Sequence, residues 1–364
     1  MITLGVEEEY LLLDPATALP VPLADEVRAV AGIRALATRE EVKPELLQAQ
    51  LEVATPVCAE LAEAGGHLLR LRHAVGAAAA EAGCRAIASG AAPLADALAV
   101  PVTPDPRYLQ LRGQGRRLIE EQLVNGMHIH VSVPDRATGV AVLNRLRTWL
   151  PLLVAMAGNS PLWRGQDTGF ASWRTVVYGR WPVSGPPPEF TDGADYDRRV
   201  NALVRAGAIG DTRQVYWHVR LSDRYPTVEV RCFDVQLTAE EAVMFAGIVR
   251  GLTATALREH ADGVPHASCP PEMLSAANWH AARYGLGGRL VTPDGHCRPA
   301  GDLVAHLLDH ITPALDEYGD TREVTSLLHR FLQHGEPATR QRQALASGGI
   351  QALVDLIGLH AGDG

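Results

Sequence analysis

Polar and apolar side chains alternate along residues 2–14 and then run apolar to a stop at Pro15, the period-two pattern of a strand. The same pattern predicts extended segments over 42–55, 84–90, 126–133, 173–181, 215–221 and 227–233, the last two joined by Ser222-Asp-Arg-Tyr-Pro226. Apolar residues spaced three and four apart predict helices over 22–38, 60–82, 107–124 and 136–157, and from Thr238 helical spacing holds nearly to the end. Residues 184–195, with Gly185-Pro-Pro-Pro188 inside, read as a loop. No repeat, linker or shift of composition divides the chain, so residues 1–364 read as a single domain. Strands gathered in the first two thirds, without regular strand–helix alternation, predict an α+β fold on an antiparallel sheet.

Hydrophobic residues at 47% and charged residues at 21% are ordinary for a folded soluble chain. The net charge of −9 argues against nucleic acid as a partner, because a phosphate backbone needs a basic face. Lys43 is the only lysine, so arginine supplies 32 of the 33 basic residues. Followed by Pro44, it fits neither a P-loop nor a pyridoxal Schiff base, which removes both chemistries. The five cysteines are scattered and form no Cys-x-x-Cys pair, so neither a disulfide framework nor a zinc knuckle is expected, and a reducing cytoplasm fits them. No basic segment precedes an apolar run at the start, and the apolar stretch 148–163 is broken by Pro151, Asn159 and Pro161. Neither export nor membrane insertion is therefore expected.

Candidate chemistry sits on strand faces. Alternation puts Glu7 and Glu9 on one face and Glu8 on the other. Paired carboxylates on a sheet repel unless a cation lies between them, and such oxygen donors suit Mg²⁺ or Mn²⁺, although an exposed acidic edge has the same letters. Gln50 and Glu52 share a face, and Glu45 can join Glu52 only through a turn or bulge near Pro44. In Gly126-Met-His128-Ile-His130-Val-Ser132 both histidines and the serine share a face, as a metal ligand with a phosphate donor, as a zinc pair, or simply as exposed polar residues. No HExxH segment supports a zinc hydrolase. Glu229 and Arg231 again share a face, where a carboxylate could hold a metal and a guanidinium could meet a phosphoryl oxygen, although a surface ion pair reads identically. Four strands with such faces are harder to ascribe to coincidence than one.

These residues fall in motifs: Gly5-Val-Glu-Glu-Glu9, Glu45 with Leu51-Glu-Val-Ala-Thr-Pro56, Gly126-Met-His-Ile-His130, Gly165-Gln-Asp-Thr-Gly-Phe-Ala-Ser172, Thr227-Val-Glu-Val-Arg231 and Ala282-Arg-Tyr-Gly-Leu286. In that order, spanning nearly the whole chain, the set resembles the carboxylate-amine ligases, also called glutamate–cysteine ligase type 2. More distantly, the 126–132 strand resembles one of glutamine synthetase. The resemblance implies a curved antiparallel, glutamine-synthetase-like sheet with helices outside, whose concave face holds ATP and two or three Mg²⁺ or Mn²⁺ ions. It implies Glu7, Glu9, Glu45, Glu52, His128 and Glu229 as metal ligands and His130, Arg231 and Arg174 as ATP-binding groups. Arg231, Arg283 and Arg220 would be catalytic, with Arg164, Arg180 and His218 toward the substrate.

The implied reaction is ATP-dependent amide formation through an acyl phosphate, giving γ-glutamylcysteine or a related γ-glutamyl amide. Its alternatives are the same chemistry on another acid and amine in a secondary-metabolite pathway, phosphotransfer to a guanidino group, and a non-catalytic nucleotide-binding regulator. The regulator is disfavoured because it has no need of six metal-type ligands. Expected partners are a small-molecule carboxylate and amine, with no nucleic acid, no membrane and a homodimer as the possible assembly. One departure stands out: where such ligases commonly read Trp-Asp-x-Arg-Pro, this chain has Trp217-His-Val-Arg-Leu221. His218 in place of an acid is expected on or just behind the substrate side, sharing a face with Arg220 and altering which acid or amine is accepted.

Overall fold

The structure, a computed structural model, describes residues 2–33, 37–38, 40–95, 100–292 and 295–359, so part of the helix expected over 22–38 lies outside the described residues. In chain order the first elements are β1 (Leu4–Leu13), α1 (Ala24–Ile33), β2 (Val42–Pro44), β3 (Gln50–Ala54), α2 (Leu61–Glu81) and β4 (Arg85–Ile87). Next come α3 (Pro106–Gly115), α4 (Arg117–Glu120), β5 (Gly126–Ser132), α5 (Arg136–Leu146), α6 (Leu150–Met156), β6 (Leu162–Trp163) and β7 (Gln166–Asp167). They are followed by α7 (Trp173–Tyr178), β8 (Ser184–Gly185), α8 (Gly193–Arg205), β9 (Tyr216–Trp217), β10 (Val219–Leu221) and β11 (Thr227–Asp234). The last third is α9 (Ala239–Ala261), α10 (Pro271–Tyr284), the hairpin β12 (Arg289–Val291) and β13 (Cys297–Pro299), α11 (Ala300–Tyr318), α12 (Thr321–His334) and α13 (Pro337–Ile357).

One seven-stranded sheet runs β10-β11-β5-β1-β3-β2, with β4 alongside the end of β1. All its pairings are antiparallel, which bears out the expected α+β class. Strict alternation gives the sheet two unlike faces. Val6, Met127, Ile129, Val131, Val228 and Val230 are buried in a cluster that includes Met244, Phe245 and Ile248 of α9. That helix begins with a full capping box between Thr238 and Glu241, so its first turn needs no other partner for these backbone amides.

Glu8 belongs to the helix-packed face and is fully buried. Arg72 of α2 meets it with Nε at 2.9 Å and with Nη2, and spends its other donors on Leu237 O at 2.9 Å and Gln236 O at 2.8 Å. Tyr10 donates to Glu8 at 2.5 Å. The acidic triplet therefore splits into two cleft residues and one internal anchor.

Several expectations change. Residues 42–55 are two antiparallel strands, since the chain turns back after Pro44 and pairs Lys43 with Glu52. Residues 173–181 contain α7, not a strand: Ser172 caps it by accepting from Thr175 N at 3.2 Å, and the cap outweighs the β propensity of Trp, Thr and Val over so short a run. Residues 215–221 are divided at His218, with β9 pairing parallel to β8 and β10 joining the main sheet. The loop at 184–195 runs into α8, which Asp192 caps. The helical last third is interrupted by the β12–β13 hairpin.

Breaking a buried ion pair from one side leaves the other charge stranded. Arg72→Met should lower the unfolding free energy by about 3–5 kcal/mol in urea titrations, and adding Glu8→Gln should recover part of that loss.

Candidate active site

The polar face of the sheet forms the floor of a cleft of about 550 Å³. Strand register arranges its side chains in three rows. In the first, Lys43 of β2 pairs with Glu52 of β3, which pairs with Glu9 of β1. In the second, Glu7 of β1 lies opposite His128 of β5, Nδ1 to Oε2 3.1 Å. In the third, His130 of β5 lies opposite Glu229 of β11, itself paired with Arg220 of β10. Arg231, two residues beyond Glu229, sits beside the bulge between Val230 and Phe233 and binds Glu229 through Nη1. Glu45 reaches the same cleft from the turn after β2, as its spacing required, with Tyr108 donating to it at 3.3 Å.

Charge compensation is uneven across this floor. Burial raises the Glu229 carboxyl, yet Arg231 and Arg220, the latter at 2.7 and 3.2 Å, hold it far below the usual range. Burial also opposes ionisation of Glu7, but hydrogen bonds from His128 and His130 overrule it and keep the group ionised. Glu52 is pushed well up by burial and by Glu7 and Glu45, with only Lys43 at 3.3 Å in its favour. Glu45 is raised to about 7 by burial and then by Glu9. His128 is pushed down by burial and Arg231, which leaves a neutral imidazole whose Nε2 is buried without a hydrogen-bond partner.

These residues fit divalent cations. Donor atoms of Glu7, Glu52 and His128 lie within 4.8 Å of one another, as do those of Glu7, His130 and Glu229. Several carboxylates with imidazole and no sulfur suit Mg²⁺ or Mn²⁺, and positive charge is what Glu45 and Glu52 lack.

The model of the glutamate-cysteine ligase family 2 matches residues 3–355. The chain belongs to that family. It is 45% identical over 343 residues to a protein of Mycolicibacterium vanbaalenii provisionally named glutamate–cysteine ligase 2-2, covering 94% of this chain and 93% of that one. A Saccharopolyspora erythraea protein provisionally named glutamate–cysteine ligase 2-1 is 43% identical over 343 residues, covering 94% and 90%. Among solved structures, the glutamate–cysteine ligase of Francisella tularensis in complex with AMP superposes with a TM-score of 0.73 at 14% identity, covering 98% of this chain and 87% of that one, and so shares the fold.

In this family 2 chain the other arginines singled out from sequence lie off the cleft. Arg174 is buried behind it, its guanidinium 5.0 Å from the centre of the Tyr178 ring and its Nη2 3.5 Å from Arg231 O. Its Nε has no partner, and it packs so tightly on Gly126 that a Cβ there would collide with it. Arg283, on α10, covers the Phe170 and Tyr284 rings at 5.4 and 5.0 Å. Arg164 and Arg180 converge on Glu121, the first at 3.0 Å, and hold that carboxyl low through the Arg180 hydrogen bond foremost. His218 is buried behind Arg174 and Arg231, and burial followed by Arg174 pushes it down to about 3, so it is neutral.

Sequence reading missed Lys43, Tyr108 and Tyr178, all of which line the cleft. Lys43 had a signal, being one strand residue from Pro44 and opposite Glu52 once the hairpin is drawn. Tyr178, which accepts from Arg231 Nη2 at 3.2 Å, was hidden because its helix read as a strand.

Without metal, the fold keeps protons on Glu45 and Glu52 that the unfolded chain has released. Stability should therefore fall as pH rises from about 4.5 toward about 7. Glu7 and Glu229, held low, act in the opposite sense and only on the acid side. Thermal melts with chelator and with Mg²⁺ at about pH 5 and about pH 7.5 should show a metal-induced rise that widens with pH, about 2.7 kcal/mol at a hundredfold excess over Kd. Glu52→Gln should shrink that rise while leaving the chelated protein at least as stable.

Proposed function

We propose that this chain is an ATP-dependent carboxylate–amine ligase forming an amide through an acyl phosphate, with glutamate and cysteine as the default acid and amine. The observation that carries the reading is the three-row floor, which sets metal-type donors and two guanidiniums within one cleft. The names of the relatives and the AMP held by the Francisella neighbour support the same class of substrates.

In the reaction a substrate carboxylate oxygen attacks the γ-phosphorus of ATP and ADP leaves; the neutral amine then attacks the acyl carbon, the C–O bond to phosphate breaks, and the departing phosphate carries off the proton that the nitrogen loses. Divalent ions held by Glu7, Glu52, His128 and Glu229 would neutralise charge on the phosphoryl oxygens. Arg231, tied to Glu229 and Tyr178, offers a guanidinium pre-oriented toward a phosphoryl group. Arg220 holds Glu229 from the opposite side and so fixes the carboxylate. His130 is raised because Glu7 and Glu229 outweigh its burial, so it carries partial positive charge near neutrality and suits an anionic phosphate. Arg174, behind the floor, donates to the backbone carbonyl of Arg231 at 3.5 Å and so helps to position it.

Glu52→Gln should reduce turnover by at least about 10²-fold with the melting point in chelator no lower, whereas Arg231→Met should reduce turnover as far but also lower the melting point, because it strands the buried Glu229. Stoichiometric ADP and phosphate, with hydroxylamine trapping a hydroxamate, is the expected product pattern; AMP and pyrophosphate would overturn it. His218→Asp, which sets a carboxylate beside Arg174 and Arg231, should change the ratio of kcat/KM values among competing amines by roughly tenfold. An unchanged ratio takes His218 out of substrate selection.

A further inference from the structure

A second donor cluster lies outside the cleft, where the chain leaves β3 and enters α2. Cys58, Glu63 and His67 bring one sulfur, one oxygen and one imidazole nitrogen within 4.8 Å of one another. The arrangement follows from local structure. Cys58 is locked by reciprocal backbone bonds with Leu4, at 2.9 and 2.8 Å, and Glu63 and His67 are four apart on one helix face. Cys58 is a free, buried thiol, Glu63 is exposed and His67 is half-buried, so the cluster opens to solvent on one side.

We propose that Cys58, Glu63 and His67 form a site for a Zn²⁺-class transition metal, separate from the cleft, with water in the fourth position. The donor set selects the ion: thiolate and imidazole favour Zn²⁺, whereas the sulfur-free cleft suits Mg²⁺ or Mn²⁺. Each donor can be released without stranding its present partner. The Cys58 thiol lies 3.3 Å from Pro56 O, but that carbonyl also accepts from Thr55 Oγ1 at 2.9 Å. Glu63 uses Oε2 to accept from Ala59 N at 2.9 Å, leaving Oε1 for the metal. His67 Nδ1 lies 3.2 Å from Arg70 Nη2, and Arg70 keeps Glu41 at 2.5 and 3.3 Å when the ring turns away. On binding, the thiol gives its proton to water as the metal–sulfur bond forms, and nothing is oxidised or reduced. Because Cys58 bridges to β1 and follows β3, the ion would clip α2 to the two strands that carry Glu7 and Glu52. This site does not depend on the proposed ligase reaction.

Co²⁺ added to the full chain reads it directly, because only a thiolate ligand gives a sulfur-to-cobalt charge-transfer band. Expected is such a band saturating at about one equivalent, displaced by Zn²⁺ and kept in the cleft variant Glu7→Gln/Glu52→Gln. Cys58→Ser should abolish it, and His67→Gln, on the helix surface, should weaken Co²⁺ binding about tenfold or more. A missing band, or one that survives unweakened in Cys58→Ser or in His67→Gln with Glu63→Gln, would overturn the proposal.

Discussion

Negative charge crowded onto one face of an antiparallel sheet is the constraint around which the rest of the molecule is arranged. Partly buried carboxylates are costly unless paired, and here the pairing is lopsided. At the β10–β11 end, Glu229 is enclosed by Arg220 and Arg231. At the β2–β3 end, Glu52 has a single lysine and Glu45 a tyrosine hydroxyl. The cleft is thus already neutralised where guanidiniums can meet an anion and under-neutralised where a cation is wanted. A ligand carrying both, such as a metal–nucleotide, matches that polarity.

The parts that never touch the cleft hold this imbalance in place. Arg72 pins β1 to α2 through Glu8, fixing the strand that carries Glu7 and Glu9. At the far end of β11, the buried Asp234 accepts from Asn159 N at 2.8 Å, Ser160 at 2.7 Å and Ser172 at 2.9 Å. Ser172 in turn caps α7, which delivers Tyr178 to Arg231. The segment from Gly165 to Ser172, prominent in the sequence, therefore acts in the structure through a chain of contacts that returns to β11. Arg174 reinforces the same corner by packing on Gly126.

Among the described residues no helix is long and apolar enough to cross a membrane, and no disulfide forms. Ala, Leu and Val make up most of the layers packed behind the polar face of the sheet.

Alternation by itself determined which of the strand residues share a face. Glu7 with Glu9, His128 with His130, and Glu229 with Arg231 were legible because a strand's period of two is local and independent of its neighbours. The motifs Gly5–Glu9, Gly126–His130 and Thr227–Arg231 were legible for the same reason, each lying within one strand. Tertiary structure decided the rest. Register set Lys43 against Glu52 and His130 against Glu229, and register depends on strands far apart in sequence. The Ser172 cap, itself held by Asp234 of β11, made α7 a helix although its residues favour a strand, while strand pairing split 215–221 at His218 and the fold sent Arg164 and Arg180 to Glu121 instead of the cleft. An arginine's long side chain reaches whatever carboxylate the fold brings near, and the sequence pattern holds no record of that distance.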